Sequence, residues 1–277
     1  MFNFRMKRMT MKENTPLTTA VNKYPTHRDD MIKACWKWLK GRRADDNAEG
    51  LWRVHDKLYD LDDFVKMHPG GKEWLTLTKG TDITEAFESY HIKNIAAKTL
   101  PKFFVRDAAK PRNYKFTFEE NGFYRTLRRK VAEKHANLDR SKIWRSKFIL
   151  DADLFLVFFT AILAVRIENF FSKIILVLMS AQCMAWLNAI SHNFIHQPNN
   201  WRMYTACLTL IGWRDWRVFH GLSHHLYPNT YSDFEISMFE PMYKWMPTQH
   251  KTKTSVLLSY LMTPIIYTAM FLFAFLS

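Results

Sequence analysis

The sequence predicts a small α+β domain followed by an all-α transmembrane domain, on three observations. Residues 51–107 alternate short strand, turn and helix signals and balance nine basic against nine acidic side chains. Three apolar stretches follow, at about 148–165, 170–190 and 255–277, each close to the length that crosses a bilayer as a helix. Between the second and third lie five of the chain's eleven histidines, all within positions 192–225.

Charge orders these parts along the chain. The formal net charge is +14, with residues 1–50 contributing +5, residues 108–150 contributing +8 and residues 151–277 only +1. A basic block that abuts an apolar segment reads as juxtamembrane charge, which argues against nucleic-acid binding. Aromatic residues make up 16% of the chain, in keeping with interfacial belts, and Trp216, Tyr227 and Trp245 are candidate headgroup anchors. Cys35, Cys183 and Cys207 form no Cys-x-x-Cys pair, so neither a disulfide framework nor a thiolate metal site is expected. The basic N-terminus leads into no apolar core, so no cleaved signal peptide is predicted and the soluble parts are assigned to the reducing cytosol.

Residues 1–50 read as a basic N-terminal extension. It holds one amphipathic helix from Asp29 to Arg43, with Ile32, Cys35, Trp36 and Leu39 on one face. That helix could lie on a membrane or pack on the next domain, and packing is preferred. In residues 51–107, Leu51 to Val54 alternate as a strand, and His55-Asp-Lys57 turns the chain into Leu58-Tyr-Asp60. Asp60 can cap a short helix carrying Leu61, Phe64 and Val65, which Pro69-Gly70-Gly71 ends. Asp82-Ile-Thr-Glu85 has the pattern of a capping box opening a helix toward His91, and Pro101 to Val105 reads as a closing strand.

Residues 108–147 are a basic connector. Its helix runs from Gly122 to His135, with Phe123, Leu127 and Val131 on one stripe. Residues 148–277 form the membrane domain. Only Arg166 to Asn169 separates its first two spans, which predicts a tight hairpin. Met203–Gly212 is too short to cross and is expected at the interface or part way into the bilayer. Basic residues crowd the flank before the hairpin, so the positive-inside rule puts the N-terminal half in the cytosol and returns the chain there at Ser191.

His192 and His196 stand at i, i+4, as do His220 and His224, with His225 following. On a helix that spacing aims both rings at one ion, and imidazole suits iron or zinc. Asp233 and Glu235 could orient those rings, although solvated surface carboxylates are the preferred reading. His27, His55, His135 and His250 have no comparable context and read as surface residues. Upstream, His68-Pro-Gly-Gly and His91 form a second candidate pair.

The run from Leu51 through His68-Pro-Gly-Gly to Leu75, continuing from Thr81 to His91, resembles the cytochrome b5 haem-binding domain. The resemblance implies haem b with His68 and His91 as axial ligands, which saturates the iron and suits electron transfer. It makes Phe64, Leu75, Ile83 and Phe87 candidate pocket walls. Lys66 and Met67 replace acidic residues common in that family, leaving Asp62, Asp63, Glu85 and Glu88 to form an acidic rim for a redox partner.

The segments His192 to Gln197 and Trp216 to Asn229 resemble the first two histidine boxes of membrane fatty-acid desaturases. The order of parts is similar to front-end desaturases fused to cytochrome b5. The resemblance implies a cytochrome b5-like α+β domain joined to a partial desaturase-like helical domain, with non-haem iron on His192, His196, His220, His224 and His225. No third box of paired histidines precedes Ser277, so an incomplete di-iron site and a C-terminally truncated chain are expected. Implied partners are an NAD(P)H-dependent cytochrome b5 reductase, a fatty-acyl lipid and the bilayer, with an oligomer possible and nucleic acid excluded. The implied location is the endoplasmic reticulum membrane, with both histidine groups facing the cytosol. A non-catalytic, membrane-anchored electron carrier is the alternative, and a zinc-stabilised membrane adaptor a third reading.

Overall fold

A computed structural model of the chain describes residues 20–30, 33–93, 95–240 and 251–276. Helix α1 (Cys35–Asp45) leads into a hairpin of β1 (Trp52–Val54) and β2 (Lys57–Tyr59). A 3-10 turn (Asp62–Met67), α2 (Lys72–Thr78), α3 (Thr84–Tyr90), α4 (Ile95–Thr99) and β3 (Phe104–Asp107) complete this unit. The sheet is antiparallel in the order β1-β2-β3, with Trp52 opposite Tyr59 and Leu58 opposite Arg106, and an irregularity between Leu58 and Tyr59. His55 turns the hairpin at φ 54°, in the left-handed region. Trp52, Val54, Tyr59, Leu61, Leu75 and Ile83 form the core, with Phe64 and Phe87 packed at its edge. The Trp52 indole N–H donates to the Leu75 carbonyl at 3.1 Å, satisfying a polar group that burial would otherwise penalise.

Three local expectations are corrected here. The Asp60 carboxylate accepts from the Asp62 N–H at 3.0 Å, and the segment it opens is a 3-10 turn rather than an α-helix. No capping box forms at α3: Asp82 accepts from the Thr84 N–H, while Glu85 is drawn away by Arg112 and by the Tyr227 hydroxyl. Pro101 falls in a 3-10 turn (Leu100–Phe103), because it has no N–H to give a ladder, and the strand starts at Phe104.

Helix α1 starts at Cys35 and buries Trp38, Leu39 and Arg42, whereas Trp36 is 60% exposed. Ile32 lies outside the described residues. The buried face is set by what the helix packs against. Trp38 and Leu39 meet Val218, Leu222 and Phe234 of the C-terminal half. Arg42 bonds Asp46 and the Asp82 carbonyl, each at 2.7 Å, and lies near the Trp38, Tyr114 and Tyr227 rings. The helix therefore belongs to a packed seam, although it lies within residues assigned by composition to an N-terminal extension.

Helix α5 (Phe123–Ala136) precedes α6 (Ile143–Arg166) and α7 (Phe170–Ile195). Among the described residues, α6 and α7 are long and apolar enough to cross a membrane. They extend beyond the predicted spans, α6 starting five residues before position 148 and α7 ending five after 190. Asn169 caps α7 by accepting from the Ser172 N–H at 3.0 Å. A 3-10 segment (Trp201–Thr209) packs Met203 and Ala206 into the core beside Leu187, Phe194 and Ile195. Then come α8 (Trp213–Trp216), a π-helical turn (Arg217–His224), α9 (Phe234–Ser237) and α10 (Lys253–Leu276). Trp216 and Tyr227, expected at the headgroups, are buried in packing with other parts of the chain, and Trp245 lies outside the described residues.

His27 is also corrected: it is 5% exposed, and neither ring nitrogen has a hydrogen-bond partner. It packs on α1 at Gly41, where a Cβ would come within 2.8 Å of the His27 Cβ. Burial, with the Arg42 charge adding to it, lowers its pKa from 6.5 to about 3. Folding then excludes a proton that the unfolded chain takes up below pH 6.5, so stability falls as pH drops from 6.5 toward 3. The limiting slope is about 1.4 kcal/mol per pH unit. Thermal unfolding of His27→Leu in detergent, measured between pH 7 and pH 4, is expected to show a shallower loss than the parent chain.

Candidate metal centres

His68 follows the 3-10 turn in an extended conformation, and the chain reverses behind it through Gly71 at φ +101°, a region that favours glycine. This reversal brings the Gly71 carbonyl to 3.0 Å from His68 Nδ1. His91 ends α3, and its Nδ1 lies 3.0 Å from the Phe87 carbonyl. A carbonyl can only accept, so each Nδ1 carries the hydrogen and each Nε2 keeps a free lone pair. The two rings stand 6.1 Å apart between centroids, with Phe64 at 6.0 Å from His68 and Phe87 at 5.0 Å from His91. Leu75 and Ile83 are buried behind them. Burial lowers the His91 pKa, which favours the neutral ring that a metal needs. This donor pair fits a group bound from both faces in an apolar pocket, as haem is.

The second centre forms where α7 ends. His192 lies in its last turn and His196 at its C-cap, with ring centroids 4.7 Å apart. Of the expected His220, His224 and His225, the two that gather with the α7 pair are His220 and His225. In the π-helical turn the His225 N–H donates to the His220 carbonyl at 2.9 Å, an i+5 bond that widens the turn by one residue. His225 therefore swings beside His220, with Nε2 atoms 2.9 Å apart. His192 Nε2 lies 2.6 Å from His220 Nε2 and 3.1 Å from His196 Nε2. One nitrogen from each of these four rings falls within 4.8 Å of the others.

The carboxylates decide what those nitrogens can be. His220 Nδ1 lies 2.5 Å from Glu235 Oε2, so its proton sits there and Nε2 presents a lone pair. His196 is held neutral with a pKa of about 3, by burial first and then by its histidine neighbours; His225 is lowered for the same reasons. Converging lone pairs on neutral rings repel unless a cation lies between them, so the donor set fits a transition-metal ion. His224 is outside the group of four, its Nδ1 3.0 Å from the buried Asp233, which also accepts from the Asn229 N–H. Asp233 and Glu235 are therefore ring-orienting groups and not the solvated carboxylates expected.

Three members of the expected acidic rim, Asp62, Glu85 and Glu88, are already paired within the chain. Glu88 is buried and receives His55, Arg125 and Arg128 at 2.7–2.9 Å. Although burial opposes it, these hydrogen bonds lower its pKa to about 2. Glu85 is bound by Arg112 and Tyr227, and Asp62 pairs with Lys79. His55 is thereby a Glu88 partner and only partly exposed; His135 lines a cavity beside α5, and His250 lies outside the described residues.

Sequence reasoning missed Asn199 and Arg217, for which spacing carries no signal. A Cβ on Gly71 would lie 2.4 Å from Asn199 Cγ, so the Asn199 side chain packs directly on the Gly71 backbone. The buried Arg217 donates to Asn199 Oδ1 and to the Ile195 and Gln197 carbonyls.

Residues 36–109 match the cytochrome b5-like heme/steroid binding domain, and residues 169–276 match the fatty acid desaturase family. The "Cytochrome b5-related protein" of Drosophila melanogaster is 43% identical over 250 residues, covering 90% of this chain and 56% of that protein. Its namesake in Drosophila virilis is 47% identical over 118 residues, which is 43% of this chain and 82% of that protein. The chain belongs to the cytochrome b5-related protein family. It joins a cytochrome b5-like domain, which implies haem, to a desaturase domain, which implies iron. The "Probable Delta(5) fatty acid desaturase C" of Dictyostelium discoideum is 28% identical over 218 residues, covering 72% of this chain and 46% of that protein. The chain thus spans about half the length of the Drosophila melanogaster and Dictyostelium relatives. No solved structure matches it. The desaturase domain and the two apolar helices associate this family member with a membrane.

Metal analysis of purified variants distinguishes the two histidine roles. Alanine at His192, His196, His220 or His225 is expected to strip non-haem metal, whereas His224→Ala retains most of it. Glu235→Gln should weaken metal affinity by about 10–100-fold, as loss of a ring-orienting partner does elsewhere, read from chelator competition.

Proposed function

We propose that the chain is a membrane-bound haem and non-haem-iron oxidoreductase of lipid metabolism, resembling a fatty-acyl desaturase with its electron donor built in. The observation that carries this reading is the pairing of two imidazole groups in one chain. In the first group carbonyls on Nδ1 leave both Nε2 atoms free, and in the second Glu235 does the same for His220, whose Nε2 meets those of His192 and His225. Bound haem would supply one-electron transfer, and bound non-haem iron oxygen-dependent oxidation of an acyl chain.

His68 and His91, each with its hydrogen on Nδ1, would hold haem through their Nε2 atoms, and the bound haem would supply electron transfer. Phe64, Leu75, Ile83 and Phe87 exclude water from the pair. His192, His196, His220 and His225 offer four ring nitrogens for one ion, with Glu235 keeping the His220 proton on Nδ1. His224, held by Asp233, stands beside that group, its ring 5.7 Å from that of His220. The substrate would be a fatty-acyl lipid in the bilayer, and the external reductant an NAD(P)H-dependent cytochrome b5 reductase. The hairpin of α6 and α7 crosses twice, which supports both centres on the cytosolic side of the endoplasmic reticulum membrane.

A second reading follows from the ligand count. Among the described residues, one group of four imidazoles gathers, which serves one ion and not two. A non-catalytic, membrane-anchored electron carrier would need no more.

The test is purification of the full chain from haem-sufficient, iron-sufficient cells. Its absorption bands and an iron content exceeding the haem content are the expected result, with bands lost in His68→Ala and His91→Ala. A new double bond or hydroxyl in the lipids of expressing cells supports the enzyme, and an unchanged lipid profile with intact bands supports the carrier. A colourless protein would refute both.

A further inference from the structure

Tyr90 and His91 are consecutive in the chain, and so are His220 and Gly221. The Tyr90 hydroxyl donates to the Gly221 carbonyl at 3.1 Å, across 131 positions of sequence. A route along bonded atoms from the His91 ring to the His220 ring therefore crosses one hydrogen bond. Trp74 runs beside it, its ring 5.8 Å from that of Tyr90 and inclined at 35°. A Cβ on Gly221 would sit 3.4 Å from the Trp74 ring edge and 3.9 Å from His196 Nδ1, ordinary contact distances, so the indole lies directly against Gly221. On the indole face, the Arg217 guanidinium lies 4.4 Å from the ring centroid, anchored by Asn199, Ile195 and Gln197. Trp74 is thereby clamped between α3 and the π-helical turn.

Electron tunnelling decays more slowly along covalent and hydrogen bonds than across gaps. We propose that Tyr90, backed by Trp74, is the coupling bridge between the two centres, a positioning pair that joins the His91 backbone to the His220 backbone. This inference rests on the reading that His91 and His220 each ligate iron. One electron passes from reduced haem iron to oxidised non-haem iron. No bond forms or breaks, the Tyr90 hydroxyl keeps its proton, and neither aromatic ring is oxidised.

The experiment uses the full chain carrying haem and iron, without lipid substrate or oxygen. The haem is photoreduced by a flash, and its reoxidation by the internal non-haem iron is followed by absorbance. Tyr90→Phe keeps the ring and removes the hydrogen bond. It is expected to slow reoxidation severalfold. Its haem bands, haem potential and iron content should match the parent. Trp74→Leu should slow the same step, and Trp74→Phe should recover part of it. Parent-like rates in both Tyr90→Phe and Trp74→Leu, with haem and iron intact, would overturn the bridge while leaving the functional reading standing. A parent chain with no non-haem iron, or no internal reoxidation, would overturn the functional reading and the bridge with it.

Discussion

An imidazole ring offers a metal only the nitrogen that its other partner leaves free, and this constraint organises the whole protein. His68 and His91 give their Nδ1 hydrogens to backbone carbonyls, and His220 gives its own to Glu235. Each arrangement needs its own local backbone. Gly71 must take a positive φ for its carbonyl to reach His68, α3 must end at His91 for Phe87 to accept, and α9 must present Glu235. The helix ends, the glycine turn and the short α9 all serve to fix where protons sit. A ring with an undetermined tautomer would bind a metal at the cost of first reorienting.

The π-helical turn shows how one inserted residue per turn changes chemistry. A regular helix from Trp213 through His225 would face His220 toward His224. The wider turn brings His225 to His220 and gives His224 to Asp233. The turn is held by buried contacts on both sides. Val218 and Leu222 pack on α1, and Arg217 reaches back to the end of α7. Such turns replace i+4 bonds with i+5 bonds and survive where surrounding packing compensates.

The two halves are joined by polar contacts that would be costly to break singly. Arg217 is buried, its charge met by three oxygen acceptors and the Trp74 face. Glu88 is buried beneath Arg125 and Arg128 of α5. Removing one partner from such a buried set typically costs about 3–5 kcal/mol, because the other charge is left unpaired. The basic connector is thus more than a stretch of juxtamembrane charge, since three of its arginines, Arg112, Arg125 and Arg128, lock it to the haem-type unit.

Local pattern determined much of this protein. The apolar runs specified α6 and α7, the alternation at Leu51 to Val54 specified the first strand, and His68-Pro-Gly-Gly with His91 marked a pair of rings before any fold was known. These features are legible because each depends on neighbours within a few residues. Tertiary structure decided the rest, where the deciding partner lies far along the chain. Whether His224 or His225 faces His220 depends on packing around a non-standard turn, and spacing alone cannot register it. Glu85 and Glu88 looked like a free acidic rim because Arg112, Arg125 and Arg128 pair with them across 27 to 40 positions. His27 looked like a surface residue because only the approach of α1 at Gly41 buries it, and burial is a property of the assembled chain.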